Sequence, residues 1–142
     1  MKNKLSIGLI MLAMSSAAAS ATSLDGSQPL LCASATVIEC LPIEGCRLVA
    51  AAAIGAPDFI RLDFSAKTLT SGGAGDSGKS SVIERSDVVD GKLILQGAED
   101  GVEGVRDGIG WTLAFAQDSG RMVLTASGDD VAFTIFGACT TL

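Results

Sequence analysis

The chain has 142 residues, no histidine, no tyrosine and a formal net charge of −6 at pH 7. Without histidine, Ser-His-Asp and Cys-His catalysis are excluded within the chain, and so are His-ligated zinc, copper and iron sites. The acidic balance repels phosphate backbones, and one Trp with five Phe leaves little for base stacking, so nucleic-acid binding is not expected.

The first 21 residues have the three parts of a secretory signal peptide. Lys2 and Lys4 make a basic start, Leu5–Met14 is an apolar run broken only by Ser6 and Gly8, and small residues follow, ending Ala19-Ser20-Ala21. Cleavage near Ala21 leaves residues 22–142, one domain of ordinary size. Loss of Lys2 and Lys4 takes the formal charge from −6 to −8. The apolar run is about ten residues where a spanning helix needs roughly 20, so no stable membrane insertion is expected. Cys32 lies too far downstream for a lipid anchor. The expected product is periplasmic or secreted. Its acidic surface serves solubility and would favour a basic partner or a cation.

Leu30–Leu41 reads as a strand, Pro42-Ile43-Glu44-Gly45 as a turn, and Cys46–Ala53 as a second strand, although its four consecutive alanines also suit a helix. Ala56-Pro57-Asp58 breaks the run. In Phe59–Phe64, Ile60, Leu62 and Phe64 alternate with Arg61 and Asp63, the period of a half-buried strand. Ser65-Ala66-Lys67 turns into Thr68-Leu69-Thr70, and Ser71–Ser81 is a Gly-rich loop. Val82–Arg85 is a short strand candidate. Asp90-Gly91 signals a tight hairpin into Lys92–Gln96, and Glu99–Gly110 reads as an acidic loop. Trp111, Leu113 and Phe115 alternate with Thr112, Ala114 and Ala116, and Arg121–Ser127 returns as a strand after Asp118-Ser119-Gly120. After Gly128-Asp129-Asp130, Val131, Phe133 and Ile135 alternate with Ala132, Thr134 and Phe136, which predicts a three-stranded meander.

Many short strands between turn signals, with no sustained 3.6-residue period, predict an all-β fold. The expected form is a small antiparallel up-and-down or partly closed barrel of about eight strands, stapled by disulfides. A sandwich is the other possibility.

Four cysteines in an exported chain read as two disulfides, with three pairings open. A hairpin would bring Cys40 and Cys46 face to face. A barrel with an even strand count puts its first and last strands side by side, and so Cys32 beside Cys139. Cys40–Cys46 with Cys32–Cys139 is the expected pairing, and crossed pairing within the N-terminal cluster is the alternative. The absence of C-x-x-C argues against redox chemistry and against a thiolate metal site.

Gly73-Ala74-Gly75-Asp76-Ser77-Gly78-Lys79-Ser80 fits the phosphate-loop pattern in full and resembles that of G-protein α subunits. The pattern needs a buried strand before it and a helix after it. Neither is predicted, so nucleotide binding by Gly73–Ser80 is not expected. Gly72–Asp76 is close to the calcium nonapeptide, but its Asp falls one place early. The loop holding Glu99, Asp100, Glu103 and Asp107 offers oxygen ligands without EF-hand spacing, which leaves calcium binding open. Asp129-Asp130 reads as a turn and Trp111 as core. No catalytic residue, cofactor or metal site is expected.

The cluster Cys32, Cys40 and Cys46, the segments Pro57–Phe64 and Leu93–Gly97, and the closing stretch Gly110–Cys139 resemble a group of small exported bacterial proteins of unknown function. The likeness covers most of the chain after residue 21 and implies no activity. Size, disulfides and barrel architecture are also similar to the membrane-bound lysozyme inhibitors of Gram-negative bacteria. The tyrosine-containing inhibitory motif of that family has no counterpart here. The expected function is therefore a non-catalytic β-domain that binds a small molecule, an envelope component or a protein. The alternative is an acidic inhibitor of a secreted basic hydrolase such as lysozyme.

Overall fold

Ten antiparallel strands form one curled, half-barrel sheet in a computed structural model that describes residues 24–72, 78–105 and 107–142. The signal-peptide expectation for residues 1–21 and the Gly73–Ser77 part of the phosphate-loop match lie outside the described residues. The strands are β1 (Leu30–Leu41), β2 (Gly45–Val49), β3 (Phe59–Asp63), β4 (Thr68–Ser71), β5 (Ser80–Val82), β6 (Arg85–Val89), β7 (Lys92–Glu99), β8 (Ile109–Ala116), β9 (Arg121–Gly128) and β10 (Val131–Thr141). They run β5-β4-β3-β1-β10-β9-β8-β7-β6 across the sheet, and β2 pairs only with β1.

The count exceeds the expected number of about eight because one expected strand divides. The segment Val82–Arg85 is not one strand: it breaks at Ile83 and Glu84, and its halves belong to β5 and β6, the opposite edges of the sheet. Those two residues join the edges. The Ile83 N–H donates to the Lys67 carbonyl and the Glu84 N–H to the Gln96 carbonyl, each at 2.9 Å. β2, which begins the segment expected as the strand Cys46–Ala53, lies off the strand path. Cys46–Ala53 is likewise not one strand. β2 stops at Val49, and Ala51–Ile54 forms a 3-10 turn, η1, ended by Gly55 in the left-handed region at φ 67°. Small side chains lose little freedom in a helical turn, and glycine reverses the chain without a Cβ clash.

Alternation sets the core. Leu95, Leu113, Leu124, Ile135 and Val37 stand opposite one another across five strands and form one buried layer. Leu93, Phe115 and Met122 begin the next. Each such side chain contributes roughly 1.5–3 kcal/mol by leaving water. Below them Leu30, Leu62 and Leu69 continue the interior across β1, β3 and β4. Leu24, whose N–H donates to the Gln117 carbonyl at 3.0 Å, covers that lower end.

β1 serves two partners along one edge. Its first residues pair with β3 and its last with β2, and a bulge between Ser34 and Thr36 separates the two registers. An extra residue shifts the side-chain phase, so Cys32 before the bulge and Val37 after it both point inward. The Asp90-Gly91 hairpin forms as expected, with φ of 49° and 69°, the left-handed pair a two-residue turn requires. Gly120 likewise lies at φ 69° in the β8–β9 turn.

Both expected disulfides are present. Cys32–Cys139 joins the two neighbouring long strands, and Cys40–Cys46 closes the β1–β2 hairpin. Disulfides are a mark of oxidising compartments. Among the described residues, no helix is long and apolar enough to cross a membrane.

Candidate functional site

The upper end of the half-barrel is open. The layer above the Leu95 row contains Gly97, Trp111, Ala126 and Phe133, one from each of β7 to β10. Glycine and alanine in that row leave space that leucine fills one layer below. The result is a cleft of about 270 Å³ with an apolar floor that includes Ile60, Leu69, Trp111, Leu124 and Ile135. Gly97 allows the indole to lie close. A Cβ on Gly97 would sit 2.4 Å from Trp111 Cζ2 and 2.3 Å from the Val82 carbonyl oxygen.

Trp111 is held by polar contacts as well as by packing. Its Nε1–H donates to Ser81 Oγ at 2.8 Å, and the Ser81 hydroxyl donates to the Ala98 carbonyl at 3.0 Å. Both buried polar groups are thus satisfied, and the indole is fixed between β5 and β7. No buried side-chain polar atom lacks a partner among the described residues.

Three loops make the rim. η1 and its exit, Ile54–Pro57, form one wall. The bulge anchors this wall, since Ser34 Oγ donates to the Pro57 carbonyl at 2.7 Å and the Ser34 N–H to the Asp58 carbonyl at 2.8 Å. The end of β4 and the β4–β5 connection contribute Ser71 and Lys79, and the end of β7 and the β7–β8 connection contribute Glu99 and Asp107. Asp107 Oδ1 accepts the Val102 N–H at 2.8 Å, which ties that loop across its base. Lys79 makes no ion pair with Glu99 or Asp107; the described ion pairs are Arg47–Glu39, Arg47–Glu44 and Lys92–Asp90. A second hollow, about 340 Å³, lies near the lower end. It sets Asp25, Lys67, Glu84 and Arg85 around Phe64 and Leu93, with far less apolar floor.

Beside the mouth stands the β1–β2 arm. Glu39 faces Phe133 on one side and Arg47 on the other. Arg47 donates to Glu39 Oε2 from Nη2 at 2.7 Å and from Nε at 3.0 Å. The hydrogen bonding and charge of Glu39 raise the Arg47 pKa further above its ordinary value. Beyond this pair, Ile43 at the tip is 98% exposed and Leu48 is 74% exposed.

Of the expected acidic loop, Glu99 and Asp107 reach the cleft, while Asp100 and Glu103 are exposed elsewhere in the connection. Among the described residues no three potential ligands gather into a cation site. Asp129-Asp130 is a turn, with Asp130 at φ 57°. The strands flanking the phosphate-loop match pair antiparallel, so the strand-to-helix context of that motif does not occur. Sequence reasoning met Lys79 only within the phosphate-loop match and placed neither it nor the η1 wall at a cleft. For the wall, the signal was the small-residue run Ala50–Ala53 ahead of Gly55 and Pro57.

Comparison of the chain with protein-family models, curated proteins and solved structures finds no match.

Proposed function

We propose that the protein is an exported, non-catalytic binding domain and that the cleft over Trp111 holds its small-molecule ligand. The observation that carries this reading is the cleft itself: an apolar floor, a polar rim and pre-formed walls, the usual build of a small-ligand site. Its volume falls just under the about 300–1,000 Å³ typical for drug-sized ligands, so the ligand is small. The two disulfides and the apolar, small-residue start at residues 1–21 support export to the periplasm or beyond. Trp111 is the sole tryptophan and tyrosine is absent, so intrinsic fluorescence reports on the cleft floor alone. Titration with the neutral apolar dye N-phenyl-1-naphthylamine tests the reading. Saturable energy transfer from Trp111, lost in a cleft-filling Ala126→Phe variant that keeps the wild-type circular dichroism, is expected. Absence of saturable transfer to the wild-type protein would overturn it.

The β1–β2 arm favours a second reading, inhibition of a secreted basic hydrolase. A stapled hairpin presenting Ile43 to solvent is a ready apolar knob, and the net negative charge would steer a basic partner toward it. Lysozyme activity unchanged by micromolar protein would sink that reading for lysozyme.

A further inference from the structure

We infer that the ligand of the cleft is a small zwitterion with an apolar side chain, of the chemistry of a free aliphatic or aromatic α-amino acid. This rests on the cleft being the ligand site. Its rim carries opposite charges on different loops: Lys79 on the β4–β5 side, Glu99 and Asp107 on the β7–β8 side. Lys79 is paired with neither carboxylate, although all three line one cleft. Charges beside a low-dielectric apolar floor act on a bound group more strongly than charges on open surface. A ligand with a lone carboxylate would meet Lys79 but face Glu99 and Asp107. A ligand with a lone ammonium would meet the carboxylates but face Lys79. A zwitterion answers both, its ammonium toward Glu99 and Asp107, its carboxylate toward Lys79, and its side chain over Trp111 and Phe133. The cleft of about 270 Å³ suits an amino acid and leaves little room for a long acyl tail.

The test compares four compounds that share one branched aliphatic group. L-leucine carries both charges, 3-methylbutylamine only the ammonium, 4-methylpentanoate only the carboxylate, and 3-methylbutan-1-ol neither. Binding to the intact protein is read by calorimetry and by Trp111 emission. Leucine is expected to bind about tenfold or more tighter than either singly charged analogue, the scale of one charge-assisted hydrogen bond. Lys79→Met should lower leucine to the level of the amine, and Glu99→Gln should reduce leucine and the amine together while sparing 4-methylpentanoate. Equal binding of all four would overturn the zwitterion and leave a plain apolar cleft. No binding of any of the four while N-phenyl-1-naphthylamine still binds would also overturn it, with the cleft retained as a ligand site. Failure of the dye as well would remove the site itself.

Discussion

At the scale of single residues, Gly97 and Asp63 show opposite uses of a small feature. Gly97 faces Trp111 across the β7–β8 ladder, and its missing side chain is what the indole and the Val82 carbonyl occupy. Gly97→Ala must push one of them away. We predict a loss of about 1–3 kcal/mol in chemical denaturation, the usual cost of overpacking, with a red shift of Trp111 emission as the indole meets water. Unchanged stability and emission would contradict the close packing. Asp63 acts through charge. The Ala66 N–H and the Ser65 hydroxyl donate to its Oδ1 at 3.0 and 2.7 Å, and these bonds hold its pKa below the ordinary 3.8. A lowered folded value means that the contribution is present above the unfolded pKa and lost as pH falls through the folded one. Carboxyl NMR should place the Asp63 midpoint below 3.8. Asp63→Ala should remove its share of the acid-side loss of stability, and a midpoint at or above 3.8 would contradict the turn geometry.

Among the elements, the two disulfides do different work because they close loops of different length in different surroundings. Cys32–Cys139 spans a separation of 107 residues between buried positions of β1 and β10. Cys40–Cys46 spans six residues in the exposed arm. On the chain-entropy account, a loop of about 100 residues is worth roughly 4.7 kcal/mol, while the small loop is worth about 2. Replacing Cys32 and Cys139 by serine should therefore lower the melting temperature far more than replacing Cys40 and Cys46. Mild reductant followed by alkylation should label Cys40 and Cys46 first in mass spectrometry. Labelling of Cys32 first would mean that the β1–β10 seam opens more readily than its burial implies.

For the whole molecule, closure of the half-barrel depends on one short crossing. The chain leaves β5 at one edge and enters β6 at the other through Ile83 and Glu84, whose N–H groups bond to opposite sides. Ser81 and Trp111 brace the same crossing. Glu84→Pro removes one of these donors. It is expected to cost about 1–3 kcal/mol and to speed hydrogen exchange in β6 and β5 while the β9–β10 ladder stays protected. Uniform loss of protection across all strands would show that the crossing and the ladder open as one unit. Because the cleft sits above this crossing, the same variant should weaken binding of N-phenyl-1-naphthylamine.

Local chemistry along the chain determined the fold class and much of the pairing. Alternation in Trp111–Ala116 and Val131–Phe136 marks which side chains face inward. Asp90-Gly91 and Gly120 specify turns through conformations that few residues tolerate, and the cysteine spacing, joined to barrel closure, gives both disulfides. These signals act between neighbours, and neighbours are what a sequence displays. The division of Ser80–Val89 between two sheet edges and the bulge at Ser34–Thr36 were decided by tertiary structure, the first by how the sheet closes on itself and the second where β1 changes partner from β3 to β2. The cleft belongs to the same class. Lys79, Glu99 and Trp111 lie 12 to 32 residues apart in the chain, and no local pattern links them. They share one site only because closing the sheet brings these segments to the same end, above the row in which Gly97 and Ala126 leave space.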